Sequence, residues 1–382
     1  MRSSESMKVK LSDVCIVLNG RAYSQPELLN SGKYKVLRVG NLVGGDRFYY
    51  SDMELDDDKY CYEGDLLYAW ACSFDPYIWK EGKTIFHYHI WKLLPKEDVL
   101  DKKFFYFYLK CVTQTLLGKT NGSVMQHITK SLFENTELTL PSLEKQKEIA
   151  NILSTLDDKI ELNNAINRNL EEQAQALFKS WFIDFEPFGG KMPEDWQTGK
   201  LSDIAEYEKD KIDVAKLNAE TYYSTENMLP NKAGVSKAAS LPTTEQTTRC
   251  IPGETIISNI RPYFKKIFYC TEETAGCSAD VLCFKPKKES FSIYNYDLLY
   301  SDNFFDYMVK GSKGTKMPRG DKSQIMNYDV VIPAESVISD FNNVVSNILQ
   351  QISNNKKENE CLAKLRDTLL PDLMSGELYL NT

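Results

Sequence analysis

The strongest constraint on this chain is that it repeats itself. Lys10-Leu-Ser-Asp-Val14 recurs as Lys200-Leu-Ser-Asp-Ile204, and Gly64-Asp-Leu-Leu-Tyr68 is answered by Gly253-Glu-Thr-Ile-Ile257. Gly122, Met125, Lys130, Ser131, Asn135 and Pro141 then correspond to Gly314, Met317, Lys322, Ser323, Asn327 and Pro333, all at an offset of 192. Matches in one order define two copies of one unit of about 190 residues. Each copy reads as a mixed globular part followed by a long helix.

The helices are the clearest local signal. After Pro141, apolar residues fall at Ile149, Leu153, Leu156, Ile160, Leu170, Ala174, Leu177 and Trp181, in alternating steps of four and three. That is a heptad seam. The second copy carries Phe341, Val345, Ile348, Ile352, Leu362, Leu369 and Leu373 in the same frame, with Arg366 as the discordant position. Two seam positions in each copy are polar: Asn163 and Asn167, and Asn355 and Asn359. An antiparallel pairing of the helices predicts that Asn163 meets Asn359 and Asn167 meets Asn355. Such amides set register, because a slip would strand them among apolar side chains. The alternative is that they face solvent. A helix of about 40 residues is roughly 60 Å long at 1.5 Å per residue, and its apolar seam needs a partner, which the other copy supplies.

The globular parts read as α/β. Tyr34–Val39, Asp65–Trp70 and Thr84–His89 are predicted strands in the first copy, and Glu254–Ser258, Lys266–Cys270 and Asp280–Phe284 in the second. Phe104–Leu117 and Tyr296–Val309 are apolar at helical spacing. The Pro- and Gly-containing stretch around Pro187-Phe-Gly-Gly190 reads as a linker. The expected organisation is therefore a globular domain over 1–139, a helix over 140–186, a linker over 187–199, a second domain over 200–332, a second helix over 333–376 and a tail, 377–382.

Charge is segregated by segment. The net formal charge is −8, but residues 1–139 and 198–332 each hold 18 basic and 18 acidic side chains, so the helix segments carry the deficit. From Lys102 to Phe133 there are five lysines and no acid. Lys310, Lys313, Lys316, Arg319 and Lys322 cluster against Asp321, and Arg261, Lys265 and Lys266 interleave with Tyr263 and Phe264. Cations mixed with Gly, Asn, Ser and Gln suit a DNA surface, where cations hold phosphates and Arg, Asn and Gln read base edges. A solvated face is the plainer reading of any one cluster. The acidic helices would lie away from DNA or against a protein partner.

Catalytic motifs are scarce. Asp75-Pro-Tyr77 resembles a fragment of an amino-methyltransferase loop, but no Gly-rich S-adenosylmethionine loop precedes it. Asp65 with Glu81-Gly-Lys83 mimics a nuclease set that the second copy lacks. His87 and His89 have no third ligand at metal spacing, and Cys270, Cys277 and Cys283 lack zinc spacing. No phosphate-binding Gly-x4-Gly-Lys loop is present. Nine cysteines, no apolar run long enough for a membrane span and no signal-peptide core after Met1 together suggest a cytoplasmic chain with reduced thiols.

Three stretches carry a family resemblance: Leu140-Pro-Ser-Leu-Glu-Lys-Gln-Lys-Glu-Ile-Ala-Asn-Ile-Leu-Ser-Thr-Leu-Asp-Asp-Lys-Ile160, Asn167-Arg-Asn-Leu-Glu171 and Ser180-Trp-Phe-Ile-Asp-Phe185. With Ile257-Ser-Asn-Ile-Arg-Pro-Tyr263 and Leu370-Pro-Asp-Leu-Met-Ser-Gly376, they resemble the specificity subunit of type I restriction–modification systems. The second helix departs from the Gln-Lys-Glu-Ile form, reading Val337-Ile-Ser-Asp-Phe341, while keeping the seam.

The resemblance implies an α+β fold. Two α/β target-recognition domains would be separated by two long helices in an antiparallel coiled coil, an internal tandem repeat with pseudo-two-fold symmetry. Each domain would read half of a split, asymmetric DNA target, and the helices would act as a spacer between the halves. The expected partners are double-stranded DNA, modification subunits, two in number, and restriction subunits, with no membrane. The chain itself would be non-catalytic and hold no cofactor or metal; S-adenosylmethionine, ATP and Mg would belong to the partner subunits. Charge and loop placement nominate Arg38, Lys119, Asn121, Ser123, Gln126 and Lys130 as DNA-binding in the first domain. Asn259, Arg261, Lys265, Lys313, Lys316 and Arg319 are nominated in the second. A protein–protein scaffold with coiled-coil arms and no specific DNA readout is the competing reading.

Overall fold

The structure is a computed structural model and describes residues 6–45, 47–118 and 127–375. The chain packs as two units: Met1–Leu162 with Lys357–Thr382, and Asn163–Lys356. Each long helix is therefore shared, its first half in one unit and its second half in the other. The expected tail, 377–382, lies outside the described residues.

In the first unit a four-stranded antiparallel sheet runs in the order Cys15–Asn19, Ile90–Pro95, Leu66–Ala69, Pro76–Ile78. A second sheet orders Tyr49–Ser51, Tyr34–Leu37, Thr84–Phe86, Tyr60–Cys61, with Tyr34–Leu37 and Thr84–Phe86 parallel. The two-stranded ribbon of Met7–Lys10 with Glu137–Leu140 closes the domain, and the helix Lys102–Gly118 packs its aromatic face into the core. Phe104, Phe105, Phe107 and Leu109 are buried there with Leu66, Tyr68 and Phe133. Each fully buried side chain of this size contributes roughly 1.5–3 kcal/mol.

The second unit repeats the plan. Its first sheet orders Ala205–Tyr207, Val281–Pro286, Thr255–Ser258, Ile267–Tyr269, and Gln197–Lys200 pairs with Asp329–Ile332. In its second sheet Ala275–Cys277 lies between Tyr222–Tyr223, parallel, and Gln246–Cys250, antiparallel. The copies differ at the sheet edge. The outer strand is Tyr49–Ser51 beside the parallel strand in one, and Lys211–Asp213 beside the antiparallel strand in the other.

Two expectations are corrected. The run Tyr296–Val309 is not one helix but two, Ser292–Tyr300 and Asp302–Lys310. Ser301 breaks it, extended at ψ 146°, with its hydroxyl accepting from the Phe304 amide as an N-cap. Thr84–His89 is strand only to Phe86; His87 to His89 form the turn into Ile90–Pro95.

The long helices span Leu143–Phe182 and Glu335–Ser375. Every apolar seam position named from the heptad is buried or half-buried. Within the first unit Arg366 reaches Asp157 at 2.6 Å and Lys159 lies 3.4 Å from Glu358, while Leu373 shares a core with Ile149 and Leu153. Within the second, Asn355 Nδ2 donates to Asn167 Oδ1 over 2.7 Å, and Phe341 packs on Phe178 and Trp181. In each unit numbers rise along one helix as they fall along its partner, so the helices run antiparallel. Arg366 occupies the seam without stranding a charge because Asp157 neutralises it. Asn163 and Asn167 are buried; Asn359 is half-buried in the first unit.

Candidate nucleic-acid interface

In the second unit the chain leaves the strand Thr255–Ser258 at a crowded corner. The Asn259 amide donates to the Asp280 carbonyl over 2.9 Å, and the Gly320 amide donates to the Asn259 carbonyl over 3.2 Å. Ile260 bridges Arg319. Above this backbone frame Arg319 Nη2 lies 3.0 Å from Asp280 Oδ1, which holds the guanidinium outward and in place. The Arg261 amide donates to the Pro318 carbonyl over 2.7 Å and its guanidinium to the Lys316 carbonyl over 3.3 Å, so the two basic loops are one surface.

The first unit builds the same corner with other side chains. The Trp70 amide donates to the His89 carbonyl, the Ile128 amide donates to the Trp70 carbonyl, each over 3.2 Å, and Ala71 bridges His127. Trp70, His89 and His127 thus stand where the second unit has Asn259, Asp280 and Arg319. The Trp70 ring centroid is 5.0 Å from His89 and 6.4 Å from His127, and its indole donates to the Tyr88 carbonyl over 2.7 Å. The chain has three histidines, and all three, His87, His89 and His127, sit at this corner. Burial lowers the His87 pKa to about 4, and burial with the Arg38 charge lowers that of His89. Both are neutral near pH 7, each offering one donor and one acceptor. Arg38 ends the strand that abuts this turn, exposed, its guanidinium 5.4 Å from the Tyr49 ring centroid.

Among the residues nominated from sequence, Asn259, Arg261, Lys316 and Arg319 are brought together, with Lys265 and Lys313 beside them. Lys265 is paired with Asp302 at 2.9 Å and Lys313 with Asp321 at 2.6 Å. Asn259 is buried; its Oδ1 and the Arg261 Nε have no hydrogen-bond partner among the described residues. Lys130 is engaged internally: its ammonium donates to the Val17 carbonyl over 2.8 Å and lies 3.5 Å from Glu134. Lys119, Asn121, Ser123 and Gln126 lie outside the described residues. The surface residues that sequence reasoning missed are Trp70, His89, His127 and Asp280. The signal was available in part, since the corner lies where the repeat offsets place it.

The backbone here is strained. Cys72 (φ 70°) and Phe74 (φ 51°) in the first unit, and Arg261 (φ 50°) and Lys265 (φ 49°) in the second, are left-handed without being glycine. Each costs on the order of 1–3 kcal/mol and persists only where its surroundings hold it, most often at functional loops.

The rejected motifs stay apart. Asp65 pairs with Lys92 and Glu81 with Lys35, not with each other. Cys250, Cys270, Cys277 and Cys283 share one buried core, and burial pushes the Cys270 thiol up to about 12. No group of three His, Cys, Asp or Glu among the described residues is arranged to hold a metal ion.

The type I restriction modification DNA specificity domain model matches residues 3–172 and again 193–365. The chain belongs to that family. It is 27% identical over 322 residues to the type I restriction enzyme MjaIX specificity subunit of Methanocaldococcus jannaschii, covering 75% of this chain and 71% of the relative. It is 23% identical over 349 residues to the HindI specificity subunit of Haemophilus influenzae, covering 69% and 73%. Its fold is like that of the type I restriction–modification S subunit from M. genitalium, with a TM-score of 0.57 at 17% identity over 98% of this chain and 97% of the other. The double match of the family model coincides with the two copies and with the two corners they build.

Proposed function

We propose that this chain is the DNA sequence-specificity subunit of a type I restriction–modification complex, and that each unit reads one half of a split target. The observation that carries the reading is the pair of corners: one backbone frame, used twice, built from Trp70, His89 and His127 in one copy and from the buried Asn259 with Asp280 and the outward Arg319 in the other. An invariant frame with exchanged side chains is what two readers of different sequences need. Arg319 can pair with guanine in the major groove, and a good bidentate contact discriminates by roughly 1–3 kcal/mol. Because the corners differ, the target is asymmetric.

In this reading the chain is non-catalytic and holds no cofactor. Two modification subunits bind S-adenosylmethionine and methylate adenine, and restriction subunits use ATP and Mg to cleave. The two helices act as the spacer between half-sites, and the complex works in the cytoplasm. No helix among the described residues is long and apolar enough to cross a membrane. Methylome sequencing of cells with and without the gene tests the proposal. Loss of one split, asymmetric adenine-methylation motif is expected; an unchanged methylome refutes it.

A further inference from the structure

Between the strands Thr255–Ser258 and Ile267–Tyr269 the second copy makes an eight-residue loop, against six residues between Leu66–Ala69 and Pro76–Ile78 in the first. The longer loop presents Tyr263 and Phe264, adjacent rings 4.7 Å apart, 48% and 37% exposed. Two aromatic rings side by side in water are unfavourable unless a partner covers them.

The loop is held rigidly in this display. Arg261 and Lys265 flank the pair in left-handed conformation, and Asn231 (φ 55°) and Lys232 (φ 62°) face them in the same conformation. The Asn231 amide donates to the Phe264 carbonyl over 2.8 Å and the Lys232 amide to the Lys265 carbonyl over 2.9 Å. Asp302 clamps both segments, 2.8 Å from Lys232 Nζ and 2.9 Å from Lys265 Nζ. Three strained residues, Arg261, Lys265 and Lys232, and the left-handed Asn231 are thus locked together under the rings, an arrangement typical of a preorganised contact. The rim is cationic on balance: of Arg261, Lys265, Lys266, Lys310, Lys313, Lys316 and Arg319, three pair with Asp302, Asp321 and Asp280, and Arg261, Lys266, Lys310 and Lys316 have no carboxylate in ion-pair range among the described residues. That charge favours a polyanion over a protein surface as the occupant. The matching loop of the first copy, 70–75, has no such adjacent pair: its Phe74 packs half-buried against the core, and the exposed ring nearby is Tyr88, on the neighbouring turn beside Trp70 and His89.

We propose that Tyr263 and Phe264 form a wedge that enters a base step of duplex DNA in the half-site read by this unit, replacing base–base stacking by base–ring stacking and kinking the duplex there. The proposal rests on the DNA-reading role stated above.

The test uses the full chain in complex with its modification subunits and a duplex carrying the methylated motif. Permanganate reactivity of thymines away from the methylated adenine reports unstacking, and fluorescence anisotropy reports affinity. The wild-type complex should show a hyper-reactive thymine in the second half-site only. Tyr263→Ala/Phe264→Ala should abolish it and weaken specific binding by on the order of tenfold or more, with an unchanged salt slope because phosphate contacts remain. Tyr263→Phe/Phe264→Tyr should keep the signal, and Tyr263→Ala alone should reduce it. Absence of hyper-reactivity in the wild type, or its survival in the double alanine variant, overturns the wedge while leaving specific binding intact. Loss of the modification subunit from the double variant would identify the patch as a protein interface and overturn it too. If the wild-type complex binds the motif duplex no better than a scrambled one, the DNA-reading role itself fails.

Discussion

The hydrogen bond between Asn355 and Asn167 offers a direct measure of what the helix pair does. Asn355 Nδ2 donates to Asn167 Oδ1 over 2.7 Å, and Gln351 Nε2 donates to Asn355 Oδ1 over 2.8 Å. Asn355→Ala deletes both bonds and leaves the Asn167 acceptor among apolar side chains. A net hydrogen bond contributes about 1 kcal/mol and a stranded buried acceptor costs about 1–3 kcal/mol, so the expected loss is roughly 2–3 kcal/mol. In a unit of this size each kcal/mol moves the melting temperature by about 2–4 °C, so the transition should fall by roughly 5–10 °C. Replacing both residues by Leu removes donor and acceptor together and should be neutral or stabilising. What the double variant loses is register. Glu171 Oε1 lies 3.9 Å from Lys356 Nζ, so a carbodiimide should join the Glu171 carboxylate to the Lys356 amine efficiently in the parent and poorly in the double-Leu background. Thermal melts followed by circular dichroism measure the first effect, and the yield of the Glu171–Lys356 crosslinked peptide measures the second. An Asn355→Ala chain that melts with the parent, or a double-Leu chain as unstable as the single variant, would refute the reasoning.

Other expectations follow from the same structure. Burial raises the Asp297 carboxyl from 3.8 to about 7, so the folded state holds a proton that the unfolded state has released. The contribution of this group to stability is then fully present below about pH 4 and is lost as pH rises through about 7. Asp297→Asn should flatten part of that slope in urea titrations from pH 5 to 8, with Glu254, also raised to about 7 by burial, acting in the same direction and His87, lowered to about 4, opposing it up to about pH 6.5; an unaltered slope counts against it. Arg319→Ala should relax the methylated motif at one base pair of one half-site by roughly 5- to 150-fold and leave the other half-site intact, read from methylome data. Matched insertions in both long helices should lengthen the gap between half-sites, and an unchanged gap would end the spacer reading.

Part of the candidate surface was legible because it is local in sequence. The basic stretches around Arg261 and Arg319 each carry their charge within about ten residues, and the structure joins them through the Arg261 amide and the Pro318 carbonyl. The other corner was not. Trp70, His89 and His127 are far apart in the chain and meet only because strand pairing delivers them to one place. Neutral, isolated aromatics and histidines carry no motif, and in the sequence His87 and His89 suggest only metal ligands lacking a third partner. Nor does sequence announce a left-handed arginine or lysine. Such a conformation is imposed by neighbours, here the Asn231–Lys232 segment and Asp302, and glycine was absent from both positions.

By itself, then, the sequence determined the duplication, the heptad seam with its polar positions, and the family; the structure decided that the helices run antiparallel. Each is written in periodic or repeated residues whose spacing is the physics: a heptad places side chains on one stripe whatever lies beyond it. Tertiary structure alone decided which side chains share a surface, where Ser301 divides an apolar run, and how Tyr263 and Phe264 come to stand in solvent. Those outcomes depend on contacts between segments distant in the chain, and on strain that only a finished fold can hold.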